Sequence, residues 1–408
     1  MDGERHLWPV RAVVSSVSVQ TAAMMPAFLT GALAVQLRDD LGLSESRLGA
    51  AVALFFLVAA MMSPHAGAFT DRLGPQRSLR IAGCLSTVSL LGCAIFVHNY
   101  PTLLALLAIG SVGLAIAGPG TKVMVAQGVP RPSHGLAFGV QAGSVPFSSF
   151  LSGLTVPAVA LTLGWRWAYV AVSTVPALGL ALVPPIGGAA GRVRRTDGRR
   201  LGDIDYHPLV MLALAAALGS AAATTLAAFF VSAATETGID EGLAGALLSL
   251  GSAIVIAGRI YAGLNADRKG TDPLRAVASL MAMSTAGYLL TASDSRLLMP
   301  IGALFALGAG WSWSGLIVHA VVRHYATAPG AATGMISGGL NVGGVVGPVT
   351  FGLLVEHFSY TVAFLATAAS TLLGSIAAAA GRRRLEALSS ASGAGTITAP
   401  PTVAGPGS

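Results

Sequence analysis

Charge is scarce in this chain. Only 10% of its 408 residues are Asp, Glu, Lys or Arg, whereas a soluble globular domain carries roughly 25%. So few charges cannot cover a water-facing surface, which excludes an ordinary soluble fold. Cysteine is nearly absent as well. Cys84 and Cys93 are the two in the chain; nine residues apart in one predicted helix, they point to opposite faces and exclude a disulfide framework or a thiolate metal site. The sequence has no nucleophile–base pair, no metal-ligand cluster and no Gly-x-Gly-x2-Gly turn between a strand and a helix, features that enzymes and ATP-driven pumps require. The expectation is therefore a protein that is not an enzyme and needs no cofactor and no metal.

What fills the sequence instead is apolar. Hydrophobic residues make up 54% of it, glycine numbers 51, and the mean hydropathy is +0.72. Apolar runs recur that can each cross the ~30 Å of hydrocarbon in a bilayer. Glycine and alanine at this density suit helices that approach closely in lipid. Spans are expected near 10–36, 48–69, 79–98, 101–125, 134–162, 166–188, 208–234, 243–265, 274–292, 297–324, 330–356 and 359–380. Turn-forming clusters separate them, among them Arg38-Asp39-Asp40, Asn99-Tyr100-Pro101 and Pro130-Arg131-Pro132. The first apolar segment is too long for a cleavable signal peptide and reads as the first span. The fold class is thus all-α integral membrane, with twelve transmembrane helices.

The net charge of +7 would suggest nucleic acid in a soluble protein; here the charges lie in short loops, and no nucleic-acid partner is expected. Of the 24 basic residues, only Arg38, Arg47, Arg166 and Arg296 fall outside if the N-terminus is inside. The positive-inside rule then puts both termini in the cytoplasm of a cell or inner membrane.

The two ends of the chain repeat each other. Gly67-Ala-Phe-Thr-Asp71-Arg72-Leu-Gly74 aligns with Gly263-Leu-Asn-Ala-Asp267-Arg268-Lys-Gly270, and Gly139-Val-Gln-Ala-Gly143 aligns with Gly334-Met-Ile-Ser-Gly338. Parallel repeats of six spans follow. They divide the chain into an N-terminal half (1–188), a basic cytoplasmic linker (189–207), a C-terminal half (208–383) and a disordered cytoplasmic tail (384–408). The loop Gly67-x3-Asp71-Arg72-x-Gly74-x2-Arg77 resembles the signature of the major facilitator superfamily, and repeat and span count extend the likeness over about residues 8–383. The resemblance implies two six-helix halves around a central cavity, rocking to alternate access. It also implies that Gly67, Asp71, Arg72, Gly74 and Arg77, with Gly263, Asp267 and Arg268 of the second copy, latch the cytoplasmic side shut. Read by their chemistry, Gly67 lets spans two and eleven approach, Gly74 permits a sharp turn, and Asp71 suits a helix N-terminus. Pro273 replaces the trailing Arg in the second copy, which predicts a weaker latch there.

No Asp or Glu lies in the middle third of any span, so no carboxylate is placed as a proton relay. The cations Lys122, His319, Arg259 and Arg323 lie toward the inner ends of their spans. Unmatched by acids, they suggest an anionic solute; as long side chains, Lys122, Arg259 and Arg323 can equally snorkel to headgroups. Pro119-Gly-Thr-Lys122 through Gly135-Leu-Ala-Phe-Gly139 also resembles anion-carrying branches of the family, cyanate-type and organophosphate-type. The expected substrate-binding residues are Lys122, Gln20, Gln141, Thr225, Trp311, His319 and Asn341. Trp311 and Trp313, two residues apart, cannot both face a cavity. The expected function is secondary transport of a small, anionic organic solute; the alternative is multidrug or metabolite efflux on the same fold. Partners would be that solute, the lipid bilayer, and H+ or Na+ as candidate coupling ions, with a monomer as the functional unit.

Overall fold

The computed structural model describes residues 8–184, 206–264, 272–293, 295–325 and 329–394. Within them twelve helical passes follow one another. They are α1 (8–41, broken at Leu33), α2 (Glu45–Leu73), α3 (Pro75–Phe96), α4 (Tyr100–Gly128), α5 (His134–Leu163) and α6 (165–182). The second half continues with α7 (Tyr206–Glu236), α8 (Glu241–Leu264), α9 (Pro273–Thr291), α10 (Leu298–His324), α11 (Pro329–His357) and α12 (Tyr360–Ala394). Ten of these are long and apolar enough to cross a membrane; α6, interrupted at Ser173, and the shorter α9 complete the set.

Local chemistry sets the boundaries. The Ser44 side chain accepts from the Arg47 amide to start α2, Asn99 accepts from Thr102 to start α4, and Asp272 caps α9, each replacing a lost helical partner. Gly74, at φ 79°, ends α2, a conformation that disfavours any side chain.

One expectation is corrected at the chain's end. The sequence predicts a disordered tail over 384–408, but α12 stays helical to Ala394. Leu385 is buried in the core of the second half, and Arg382 pairs with Asp272 and, one turn on, with Glu386 at 2.9 Å. Together these anchors hold the helix beyond the span. Residues 395–408 lie outside the described residues, as does 185–205, which holds most of the expected linker.

Helices α1–α6 pack among themselves, as do α7–α12, and the halves meet along α1/α7, α2/α11 and α5/α8. With twelve passes, both described ends of the chain lie on one face, called here the terminal face; the opposite one is the far face. Glycines record how closely helices approach. Toward the far face the halves touch backbone to backbone: a Cβ on Gly31 (α1) would lie 2.5 Å from the Ala228 Cα (α7), one on Gly153 (α5) 2.6 Å from the Gly245 carbonyl (α8), and one on Gly352 (α11) 2.6 Å from the Glu45 carbonyl (α2). Toward the terminal face Gly67 and Gly118 of the first half, and Gly334 and Gly338 of the second, would meet nothing within 4 Å. Inside each half the packing stays tight at that same level: Gly128 abuts Ala12, and Gly339 abuts the Ala213 carbonyl. Two intact halves are therefore sealed to each other at the far face and parted at the terminal one.

Polar bonds fasten the far seam. Tyr360 donates to Glu45, which also pairs with Arg38; Gln36 donates to Glu241 at 3.1 Å, and the Ser46 amide donates to Glu356 at 3.3 Å. Each crossing ends on a carboxylate, the stronger kind of acceptor.

Gly153→Leu should wedge the far seam and raise labelling of a cysteine placed at Glu241 by a water-soluble maleimide. Gly343→Leu, inside the second half against the Ala217 carbonyl, should instead lower the thermal midpoint, by about 1–3 kcal/mol of overpacking, without raising that labelling.

Candidate functional site

Three helices of the first half converge on one hydroxyl. Thr121 of α4 sits just after Gly118-Pro119-Gly120, where Pro119 interrupts the helical hydrogen bonding. Its Oγ1 lies 3.3 Å from Gln20 Oε1 on α1 and 3.2 Å from Gln141 Nε2 on α5. All three side chains are buried. Beside them Thr21 donates to the Ser144 carbonyl at 3.2 Å, pinning α1 to α5. Two of the sequence-predicted residues, Gln20 and Gln141, are thus brought together, through a threonine that sequence reasoning passed over. Its signal was present in the position after Gly-Pro-Gly.

Lys122 follows Thr121 and therefore points about 100° away around the helix. It is exposed, and among the described residues it has neither an ion pair nor a hydrogen-bond partner. The other expected residues are spread out. Thr225 is buried in α7, Asn341 is half-buried in α11, and His319 is exposed on α10; no hydrogen bond joins them to the Thr121 cluster. The tryptophans divide as their spacing required. Trp313 is buried in the second half, so close to Gly219 and Met281 that a Cβ on Gly219 would collide with its ring. Trp311 faces the seam, edge-on to Phe28 of α1 at 6.2 Å.

Arg259 is the residue whose place the sequence left open. It does not reach toward headgroups. From α8 its guanidinium turns into the seam and donates to the Ala142 carbonyl of α5, to the Trp311 carbonyl at 2.6 Å and to Ser314 Oγ at 2.7 Å. Those carbonyls are available for a reason. Pro146 has no N–H to return to the carbonyl four residues earlier, which is Ala142. Helix α10, expected to run unbroken, is interrupted at Trp311 and Ser312, so Trp311 turns its carbonyl to side chains. Among the described residues every acceptor of Arg259 is neutral and no carboxylate pairs with it, and its Nε is buried without a partner. Arg323, by contrast, is exposed in the last turn of α10.

The signature loop lies on the terminal face. In this conformation α2 and α11 do not approach at Gly67, because the halves have parted there. Asp71 is not at a helix N-terminus: α2 runs past it to Leu73 before Gly74 turns the chain, so Asp71 occupies the last turn. Asp71, Arg72 and Arg77 are exposed and make no ion pair among the described residues. Gly263 lies in α8, while Asp267 and Arg268 fall outside the described residues. The acids that are described, such as Glu45, Glu241 and Glu356, stand at helix ends.

Thr121→Val should leave Gln20 and Gln141 each short of a buried partner. The expected cost is about 1–3 kcal/mol, read as a lower unfolding midpoint in detergent, whereas Thr121→Ser should restore most of it.

A family model described as the Major Facilitator Superfamily matches residues 16–335 and 212–401. An "MFS-type efflux pump" of Mycolicibacterium smegmatis is 26% identical over 380 residues, covering 88% of this chain and 86% of that protein. The quinolone resistance protein NorA of Staphylococcus aureus is 32% identical over a shorter stretch, 28% of this chain and 29% of its own. Among solved structures, a D-xylose–proton symporter superposes with TM-score 0.74 at 17% identity, covering 90% of this chain and 96% of that one. The Escherichia coli xylose transporter XylE, partially occluded and inward open, gives 0.71 at 15% identity, over 90% and 98%. Twelve helices in two halves, parted at one face and sealed at the other, with a family match over most of the length, identify the chain as a member of the major facilitator superfamily, a multi-pass membrane transporter and not an enzyme.

Proposed function

We infer that the protein is a secondary transporter of a small, anionic organic solute, working by alternating access. Charge carries this reading. Arg259 brings positive charge into the seam between the halves, and among the described residues no Asp or Glu sits mid-helix to neutralise it. An uncompensated cation in a low-dielectric seam favours an anionic guest. The Gln20–Thr121–Gln141 cluster supplies neutral donors and acceptors nearby, of the kind that orient a solute. One chain contains both halves and the seam between them, so a monomer suffices.

The excess of Lys and Arg on the terminal face supports a cytoplasmic location for both ends. On that orientation the parted face opens inward, the far seam with Glu45, Tyr360 and Glu241 seals the outside, and the signature loop is caught unlatched. Closing the terminal face would bring Asp71, Arg72 and Arg77 against the second half. The division at the basic linker, residues 189–207, follows from the same reading. With no mid-helix carboxylate among the described residues, coupling to H+ or Na+ would run through groups other than a mid-membrane acid relay.

The likeness to an efflux pump and to NorA favours a second reading, export of drugs or metabolites on the same fold. The two separate in one assay. Protein in liposomes is offered labelled short carboxylates and organophosphates under imposed ion gradients, and intact cells are tested for extrusion of quinolones. Uptake of an anion supports the first reading; drug extrusion with no anion uptake overturns it. Lys122→Met should lower anion uptake at least about tenfold with an unchanged melting profile; full retention would assign Lys122 to the headgroup region.

A further inference from the structure

Resting on that reading, we propose that Arg259 is the residue that holds the solute's anionic group, that the group is a carboxylate, and that the site is assembled from the broken helices of both halves. A guanidinium needs a reason to be where it is. Buried positive charge is costly unless an anion or a well-made set of hydrogen bonds meets it, and arginine cannot shed its proton to escape. Among the described residues its partners are two main-chain carbonyls and one hydroxyl, all neutral. They satisfy donors and leave the charge unanswered. The Nε–H is unspent and sealed from the surroundings. A residue serving only to staple α8 to α5 could be neutral, as Ser249 is where it donates to the Phe150 carbonyl at 2.9 Å across that pair.

Geometry selects the class of anion. The donors of a guanidinium form a planar fork, and a planar carboxylate matches it in a bidentate way. Trp311, whose own carbonyl holds the guanidinium, presents its ring to Phe28 of the opposite half, giving an apolar wall beside the charge. A solute with one carboxylate and a short apolar body fits that pairing. Ala142 belongs to the first half and Trp311 and Ser314 to the second, so the empty guanidinium already bridges the seam. A carboxylate that takes over the fork competes with the Ala142 carbonyl and loosens that tie as it binds.

The test uses full-length protein in nanodiscs and a panel of short carboxylic acids, each beside its own amide, followed by tryptophan fluorescence and by thermal shift at a pH where the acids are ionised. Acids but not amides should bind the parent protein. Arg259→Lys keeps the charge and loses the fork; it should weaken acid binding by about a hundredfold. Arg259→Gln should abolish acid binding, and because it frees the Ala142 and Trp311 carbonyls it should also lower the ligand-free melting midpoint, a loss that Arg259→Lys should largely avoid. A mere staple predicts acid binding in Arg259→Lys and Arg259→Gln equal to the parent's, which overturns the proposal. If acids still bind Arg259→Gln but not Lys122→Met, the anion reading stands and the site moves to Lys122. If acids and amides bind the parent alike, the proposal and the anion reading fall together. Tight binding of inorganic phosphate retained in Arg259→Lys would overturn the carboxylate assignment.

Discussion

A main-chain carbonyl that loses its helical partner inside a bilayer has no water to turn to. That constraint governs the interior of this protein. Pro146 removes one helical bond and frees Ala142; the interruption at Trp311 turns a second carbonyl outward from its helix; Arg259 answers both. Elsewhere hydroxyls bond carbonyls of their own helix, Thr30 to Pro26 at 2.6 Å and Ser144 to Gln141 at 2.7 Å. At Arg259 the freed carbonyls are met from the other side of the seam or of the half, by one side chain. A structural repair and a charged site occupy the same atoms.

Much of this was legible beforehand, and the reasons differ by level. The span count follows from the length and polarity of apolar runs, which depend on the bilayer and not on tertiary detail. The repeat follows from the spacing of glycines and charged turns. Gln20 and Gln141 stood out because polar side chains are rare in such helices, but Thr121, which joins them, is a common residue whose role depends on which neighbour it faces. The orientation of Arg259 was illegible for a related reason. A long side chain near the end of a span can snorkel outward or turn inward, and only the carbonyls freed on two other helices decide the matter. Pro146 was visible in the sequence; that its orphaned carbonyl would meet α8 was not. The helix beyond residue 383 was missed because a polar, alanine-rich tail resembles an unstructured one until Leu385 finds a core and Arg382 finds Asp272.

The two seams differ in kind. At the far face the halves meet through main chain, with glycine against carbonyl and carboxylates receiving bonds from the opposite half. Toward the terminal face the contact narrows to α5/α8, held by Ser249 and then Arg259, while α2 and α11 diverge at Gly67 and Gly338. The parting is therefore lopsided, wider beside α2/α11 than beside α5/α8. Arg259 and the glutamine–threonine cluster adjoin the side that remains in touch, through Ala142 and Gln141 of α5.

The far seal also bears on how such a molecule can change over generations. Gly31, Gly153, Gly245 and Gly352 press against main chain of the other half, and the smallest step available to each codon's product adds a Cβ where no room exists. A side-chain interface drifts by trading one shape for another; a backbone interface offers no such gradient. The far seal therefore resists substitution at these four positions, while helix faces that meet no opposing main chain, such as those bearing Gly67, Gly118 and Gly338, leave room for change.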